Sequence, residues 1–203
     1  MKPAFCSAPK GRPREFDLDR ALAAALRVFW TKGYEGASLT DLTEAMGITR
    51  PSLYAAFGNK EALFKKALDL YEREKLDYIG RALEAETARG VAERLLRGAL
   101  EMQLSSCDPK GCMGVINSVA CGAEAESVRA EVLARVAVVR RALTARLDRA
   151  REEGDLPAQS DPIALTDYLL AILQGLAVQA GAGASVESLQ GLISTSLAMW
   201  PGK

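Results

Sequence analysis

From residue 17 onward the apolar side chains return at intervals of three and four, the period of one face of an α-helix. Leu22, Ala25, Leu26 and Phe29 form the first such stripe. Asp17 stands before it as a side chain able to accept a hydrogen bond from the unpaired amides of a first turn, and Gly33 stops it after Lys32. Ser38 then caps a short second helix, with Asp41 placed to reach back to the cap, and Met46-Gly47-Ile48 reverses the chain. Thr49 caps a third helix that admits Pro51 in its opening turn. Gly58 ends it, and Asn59 caps a long fourth helix running to about residue 85.

Helical spacing continues over about 91–104, 115–122, 125–152, 163–180 and 186–199, with joints at Gly90, at Asp108-Pro109-Lys110-Gly111, at Gly154-Asp155-Leu156-Pro157 and at Gly181-Ala182-Gly183. No alternating run of β-branched and aromatic residues competes with this pattern. The expected fold is all-α with about nine helices.

Composition agrees: 49% of the 203 residues are hydrophobic, 26% charged and only 6% aromatic, a balance that supports a buried core and favours helix. Net charge is zero, but it is unevenly spread. Up to Lys66 eleven Lys and Arg face seven Asp and Glu, and beyond it 15 face 19, so a basic first third precedes an acidic remainder. That asymmetry fits a nucleic-acid-binding module joined to a body with another task. Residues 1–16 read as a flexible basic arm, with Lys2, Lys10, Arg12 and Arg14 among Pro, Ser and Gly.

The arm has no apolar run for a signal peptide, and residues 163–178 are interrupted by Thr166, Asp167, Gln174 and Gly175, too short and polar for a membrane span. A cytoplasmic protein without a membrane partner is expected. There Cys6, Cys107, Cys112 and Cys121 should be thiols. No His, Gly-rich phosphate loop, or Ser or Cys beside a general base is present, which argues against an enzyme.

Residues 38–57 have the parts of a helix-turn-helix, in which one helix braces across the phosphates and the next offers its first residues to the major groove. Leu39, Leu42, Ala45, Ile48, Leu53 and Phe57 would hold the two helices at a fixed angle. Thr49, Arg50, Pro51, Ser52 and Tyr54 face outward and bring a cation, hydroxyls and a phenol. The stretch from Ser38-Leu39-Thr40-Asp41-Leu42 through Gly47-Ile48-Thr49-Arg50-Pro51-Ser52-Leu53-Tyr54 to Phe57-Gly58-Asn59-Lys60-Glu61-Ala62-Leu63, with residues 23–34 before it, strongly resembles the DNA-binding domain of TetR-family regulators.

The resemblance implies a three-helix reading domain over 17–62, a helical effector-binding and dimerisation domain over 63–203, and a homodimer on roughly palindromic double-stranded operator DNA. It implies that Ser38 and Thr40 lie near phosphate, that Thr49, Arg50 and Ser52 face the groove, and that Tyr54 and Lys60 hold the backbone. Arg50 is the choice for base readout, its fork matching the two acceptors of a guanine. Ala55 and Ala56, small where many relatives are bulkier, shift part of the specificity toward DNA shape.

The family's dimer helices correspond to 163–180 and 186–199. Leu165, Leu169, Ile172 and Leu176 on one, and Val186, Leu189, Ile193 and Leu197 on the other, are the candidate interface, with intramolecular core as the competing reading.

The effector is an unidentified small molecule or thiol-reactive compound. An organic effector would be bounded by Tyr78, Met102, Met113 and Ile116 and oriented by Asn117. Cys107 and Cys112 flank the turn 108–111, with Cys121 beyond, which suits a thiol switch aided by Lys110, a soft-metal site, or plain core packing. Without His or a close Cys pair, neither a metal nor a cofactor is expected. A helical thiol-redox or carrier protein is the alternative class.

Overall fold

The computed structural model describes residues 17–119, 122 and 125–202. The expected basic arm over 1–16, with Cys6, and the Cys121 position lie outside the described residues. Ten helices and no strand occur among the described residues: α1 Leu18–Gly36, α2 Leu39–Met46, α3 Arg50–Phe57, α4 Lys60–Lys75, α5 Asp77–Leu83, α6 Ala88–Leu104, α7 Met113–Val119, α8 Glu126–Glu152, α9 Pro162–Gly181 and α10 Val186–Ala198.

Local chemistry sets the boundaries of the first four. Asp17 accepts from the Asp19 and Arg20 amides, Ser38 and Asp41 form a reciprocal capping box, and Thr49 and Asn59 cap α3 and α4. Gly47 closes α2 at φ 66°, ψ 32°, the left-handed conformation that costs an L side chain about 1–2 kcal/mol. Gly33, at φ 70° and ψ 174°, breaks the regular path of α1, whose helical bonding resumes to Gly36.

One expectation fails outright. The long fourth helix is two helices, because Leu76, at φ −107° and ψ 5°, turns the chain between α4 and α5. No Gly or Pro marks this corner. It lays α5 along α6 and lets Leu76, Tyr78 and Ile79 line a cavity on the far side of α4.

Two apolar cores result. The first joins α1 to α4 around Phe29, Trp30, Leu42, Leu53 and Phe64, and takes in Met113 of α7 and Val128 and Val132 of α8. Edge-to-face rings organise it: Phe29 on Phe64 at 5.2 Å and Trp30 on Tyr71 at 4.8 Å between centroids. The second gathers α5, α6, the C-terminal half of α8, α9 and α10 around Leu96, Leu143, Leu147 and Leu169. α4 belongs to the first core through Leu63, Phe64 and Tyr71, so the N-terminal helices and the rest of the chain meet along a shared helix.

The apolar stripes expected at a dimer interface mostly face inward. Leu169, Leu176, Leu189, Ile193 and Leu197 are buried within a single protomer, and Leu165 and Ile172 pack half-buried against the same core, while Val186 stays exposed. The second core reaches them first because α6 and α8 already lie against that side of α9. α9 is long and apolar enough, by length and composition alone, to cross a membrane, with a mean hydropathy of 1.5. The full helix is longer than residues 163–178 suggested, yet one side of it is protein core and the other exposes Ile163, Ala171 and Val178.

Candidate nucleic-acid interface and effector cavity

The outer edge of α2 and α3 is polar and accessible. Thr40, Thr49, Arg50, Pro51 and Tyr54 are exposed and Ser52 is half-buried, while Leu53 and Phe57 on the opposite side anchor α3 in the core. Arg50 Nη2 donates to Thr40 Oγ1 at 2.9 Å, so the side chain chosen for base readout and one chosen for phosphate come together across the turn. Tyr54 keeps 48% of its surface exposed on the next turn of α3.

Other hydroxyls there have structural work. Ser38 Oγ donates to Asp41 Oδ2 at 2.8 Å and accepts from the Asp41 amide at 3.0 Å, so the capping box occupies the group expected near phosphate. Thr49 Oγ1 accepts from the Ser52 amide and lies 3.0 Å from Ser52 Oγ. Lys32 Nζ donates to Asp41 Oδ1 at 2.6 Å. That bond, with those from Ser38, lowers the Asp41 pKa from 3.8 to about 2.

Lys60 opens α4, and its ammonium sits 4.4 Å above the Tyr34 ring, an attraction between the cation and the ring's negative face. Partial burial lowers its pKa, opposed by the nearby Glu35 carboxylate. Among the described residues no carboxylate pairs with it within 4 Å.

A cavity of about 140 Å³ lies between α4, α5, α6, α7, α8 and α9. Tyr78 and Met102, named for an organic effector, line it, together with Leu68, Tyr71, Cys112, Val136, Val139 and Leu173. Its walls are apolar. The charged pair at its rim is satisfied by neighbours: Arg135 bonds Asp69 at 2.7 Å and Glu72 and Glu131 at 2.8 Å each. Burial opposes that charge, and the three carboxylates more than restore it.

Met113, Ile116 and Asn117 are absent from the cavity walls. Met113 is fully buried in the reading domain's core, Ile116 packs against Gly33, and Asn117 binds the backbone of α1. Their helical period was right, but α7 presents that face to α1 instead of the cavity. Tyr71, missed in the sequence, places a buried phenol at the wall. Its phenol donates to Cys112 Sγ at 3.4 Å and approaches Met102 Sδ at 3.7 Å, and burial pushes its pKa well up. An aromatic on α4 three residues beyond Leu68 is the signal that could have found it.

The two described thiols part company. Cys107 is exposed and lines an outer polar cleft with Arg27, Asp108 and Lys110; Cys112 is half-buried and lines both that cleft and the cavity. Both are free, and among the described residues no group of His, Cys, Asp and Glu could hold a metal ion. Lys110, expected to assist a thiol, instead donates to the Gln103 and Ser105 carbonyls at 2.6 and 2.7 Å and stiffens the turn. Buried Gln103 clamps Gly111 through both amide groups, and Trp30 Nε1 donates to the Gly111 carbonyl at 3.2 Å. Arg27 and Lys75 bracket Asp108 at 3.5 and 2.7 Å. The turn carrying the thiols is thus tied to α1 and α4.

Comparison with known proteins places this geometry. Residues 21–67 match the bacterial regulatory proteins of the tetR family, and residues 92–195 match the tetracyclin repressor-like C-terminal domain. The chain is 34% identical over 200 residues to the HTH-type transcriptional repressor ComR of Escherichia coli (strain K12), covering 95% of this chain and 92% of that protein. It is 31% identical to the HTH-type transcriptional repressor BdcR of the same organism, covering 88% and 86% of the two chains.

Among solved structures, a cysteine mutant of the TetR family transcriptional regulator CifR, complexed with 26-bp double-strand operator DNA, is 41% identical. It superposes with a TM-score of 0.88 over 94% of this chain and 100% of that one. The chain therefore belongs to the TetR family of helix-turn-helix DNA-binding transcriptional regulators, which are not enzymes.

Proposed function

We propose that the protein is an effector-released repressor that binds a roughly palindromic operator as a homodimer in the bacterial cytoplasm. The observation that carries the reading is the exposed polar edge of α3, with Arg50 held toward α2 by Thr40. Arg50 reads a base; Thr49, Pro51, Ser52 and Tyr54 fit the groove wall; Thr40 and Lys60 meet phosphates. The operator complex of the 41% identical CifR supports this assignment, as do the two curated relatives named as repressors. One α3 offers too few contacts for tight specific binding, which favours two copies. The surface that suits pairing is the outer face of α9 and α10, with Ile163, Ala171, Val178 and Met199, because their inner stripes are filled within the protomer.

The effector is a small, neutral, apolar molecule, since the cavity is close to the ~150 Å³ that accommodates a benzene ring and its rim charges are mutually paired. Cys112 is the point at which a thiol-reactive effector acts. The thiol adds across an activated carbon–carbon double bond: sulfur bonds one carbon as the S–H and π bonds break, and the proton ends on the neighbouring carbon. The added group then crowds the junction of Tyr71, Met102 and Cys112 and favours the state with lower operator affinity.

The test titrates a labelled duplex from the DNA upstream of the gene beside a scrambled duplex at equal salt, before and after N-ethylmaleimide. Preference for the upstream duplex is expected, with release in the wild type and in Cys107→Ser but not in Cys112→Ser. Equal binding of both duplexes overturns the operator reading. Release from Cys112→Ser overturns the thiol assignment.

A further inference from the structure

We infer that Asn117 is a positioning residue for operator binding: it fixes the end of α1 so that the Tyr34 ring holds the Lys60 ammonium in place for a phosphate. The inference rests on the proposed phosphate contact of Lys60. Three observations carry it. Asn117 is 1% exposed, and its side chain is used at both ends: Oδ1 accepts from the Tyr34 amide at 2.7 Å and Nδ2 donates to the Met113 carbonyl at 2.7 Å. Gly33 breaks α1 immediately before Tyr34, and a Cβ built on Gly33 would lie 3.3 Å from Ile116 Cγ2 and 3.7 Å from Asn117 Oδ1. The Tyr34 ring so placed lies 4.4 Å beneath Lys60 Nζ and packs on Phe29 and Phe64.

Each link has a physical reason. The break at Gly33 leaves the orientation of Tyr34 to whatever binds its amide, and a buried side-chain oxygen does so with defined geometry. A lysine head has three freely rotating donors and a long flexible stem; an aromatic face under it narrows where that charge resides. α7 thus connects Cys112, whose carbonyl accepts the Ile116 amide at 3.0 Å in its first turn, to a cation on the DNA-facing domain. Glu35 Oε2 reinforces the same end of α1 by accepting from the Gly122 amide at 2.9 Å.

The experiment is the salt dependence of operator affinity for the full-length protein, with melting followed by circular dichroism. Removing one phosphate contact flattens the slope of log K against log salt by about 0.9 per subunit. Lys60→Ala is expected to do so. Asn117→Ala and Tyr34→Leu are expected to flatten it by the same amount, and neither adds to Lys60→Ala in a double variant. Tyr34→Phe, which keeps the ring, retains the wild-type slope.

A role confined to stability would lower the melting temperature of Asn117→Ala and leave the slope alone, and that result overturns the inference while the Lys60 contact stands. A wild-type slope in Lys60→Ala overturns the phosphate contact and the inference with it. Should Asn117→Ala fail to fold, Tyr34→Leu against Tyr34→Phe decides, with equal slopes counting against the inference.

Discussion

The reading domain and the body are built from the same kind of helix but hold their shape differently. In α1 to α4 the helix starts have side-chain caps within three residues, and the tight turn after α2 has its own left-handed glycine. In the body, α6, α9 and α10 keep such caps, but α5 and α8 begin without one, α4 and α5 meet at a leucine, and the thiol-bearing turn is held by Gln103, Trp30, Arg27 and Lys75 from other elements. Local chemistry makes a rigid module that can be presented to DNA as a unit. Distant contacts make a body whose arrangement can respond to what enters it.

The largest test of this contrast concerns whether the two parts unfold apart. Because α4 contributes to the first core and also lines the cavity, Phe29→Ala should cost about 3–5 kcal/mol and lower a single denaturant transition. Two separated transitions, read by circular dichroism, would show that α4 does not couple the parts.

Next in size is recognition. Arg50→Ala should narrow the gap between operator and scrambled duplex by about 1–3 kcal/mol, whereas Lys60→Ala should weaken both alike. Anisotropy titrations of the two duplexes check this, and a change of preference in Lys60→Ala would reverse the roles.

Glycines sharpen the comparison at a smaller scale. Gly47→Ala has open space around it but a φ of 66°, so it should destabilise by about 1–2 kcal/mol. Gly80→Ala, inside α5 and also in open space, should stabilise by about 0.5–1 kcal/mol. Thermal melts of the two variants should shift in opposite directions.

The smallest effect is a titration. Asp41 has a folded pKa of about 2, below its ordinary 3.8, so its carboxylate supports the capping box above about pH 4 and loses that contribution as pH falls toward 2. The Asp41 carboxyl resonance should titrate near 2 in the wild type and higher in Lys32→Ala, though still below its ordinary value because the Ser38 bonds persist. Equal midpoints would remove the Lys32 bond as the cause.

Much of the reading domain was legible because its signals act over three or four residues: Ser38 with Asp41, Thr49 with Ser52, and Gly47 with the turn. The exposed polar edge of α2 and α3 followed from the same register, although Ser38 proved to be occupied by its cap. Less of the body was legible. Tyr78, Met102 and Cys112 reach the cavity, but Met113, Ile116 and Asn117, on a face of equally good helical period, turn to α1.

The sequence by itself determined the all-helical class and the helix-turn-helix, because capping, left-handed glycines and a period of 3.6 are properties of short segments, while its family followed from the resemblance carried by residues 23–63. Only the tertiary structure decided which apolar stripe of α9 and α10 lies inside, where α4 bends, which thiol meets the cavity and what Asn117 holds. A stripe of leucines has the same period whether it covers its own core or a partner's. The choice between them depends on which neighbour is already in place.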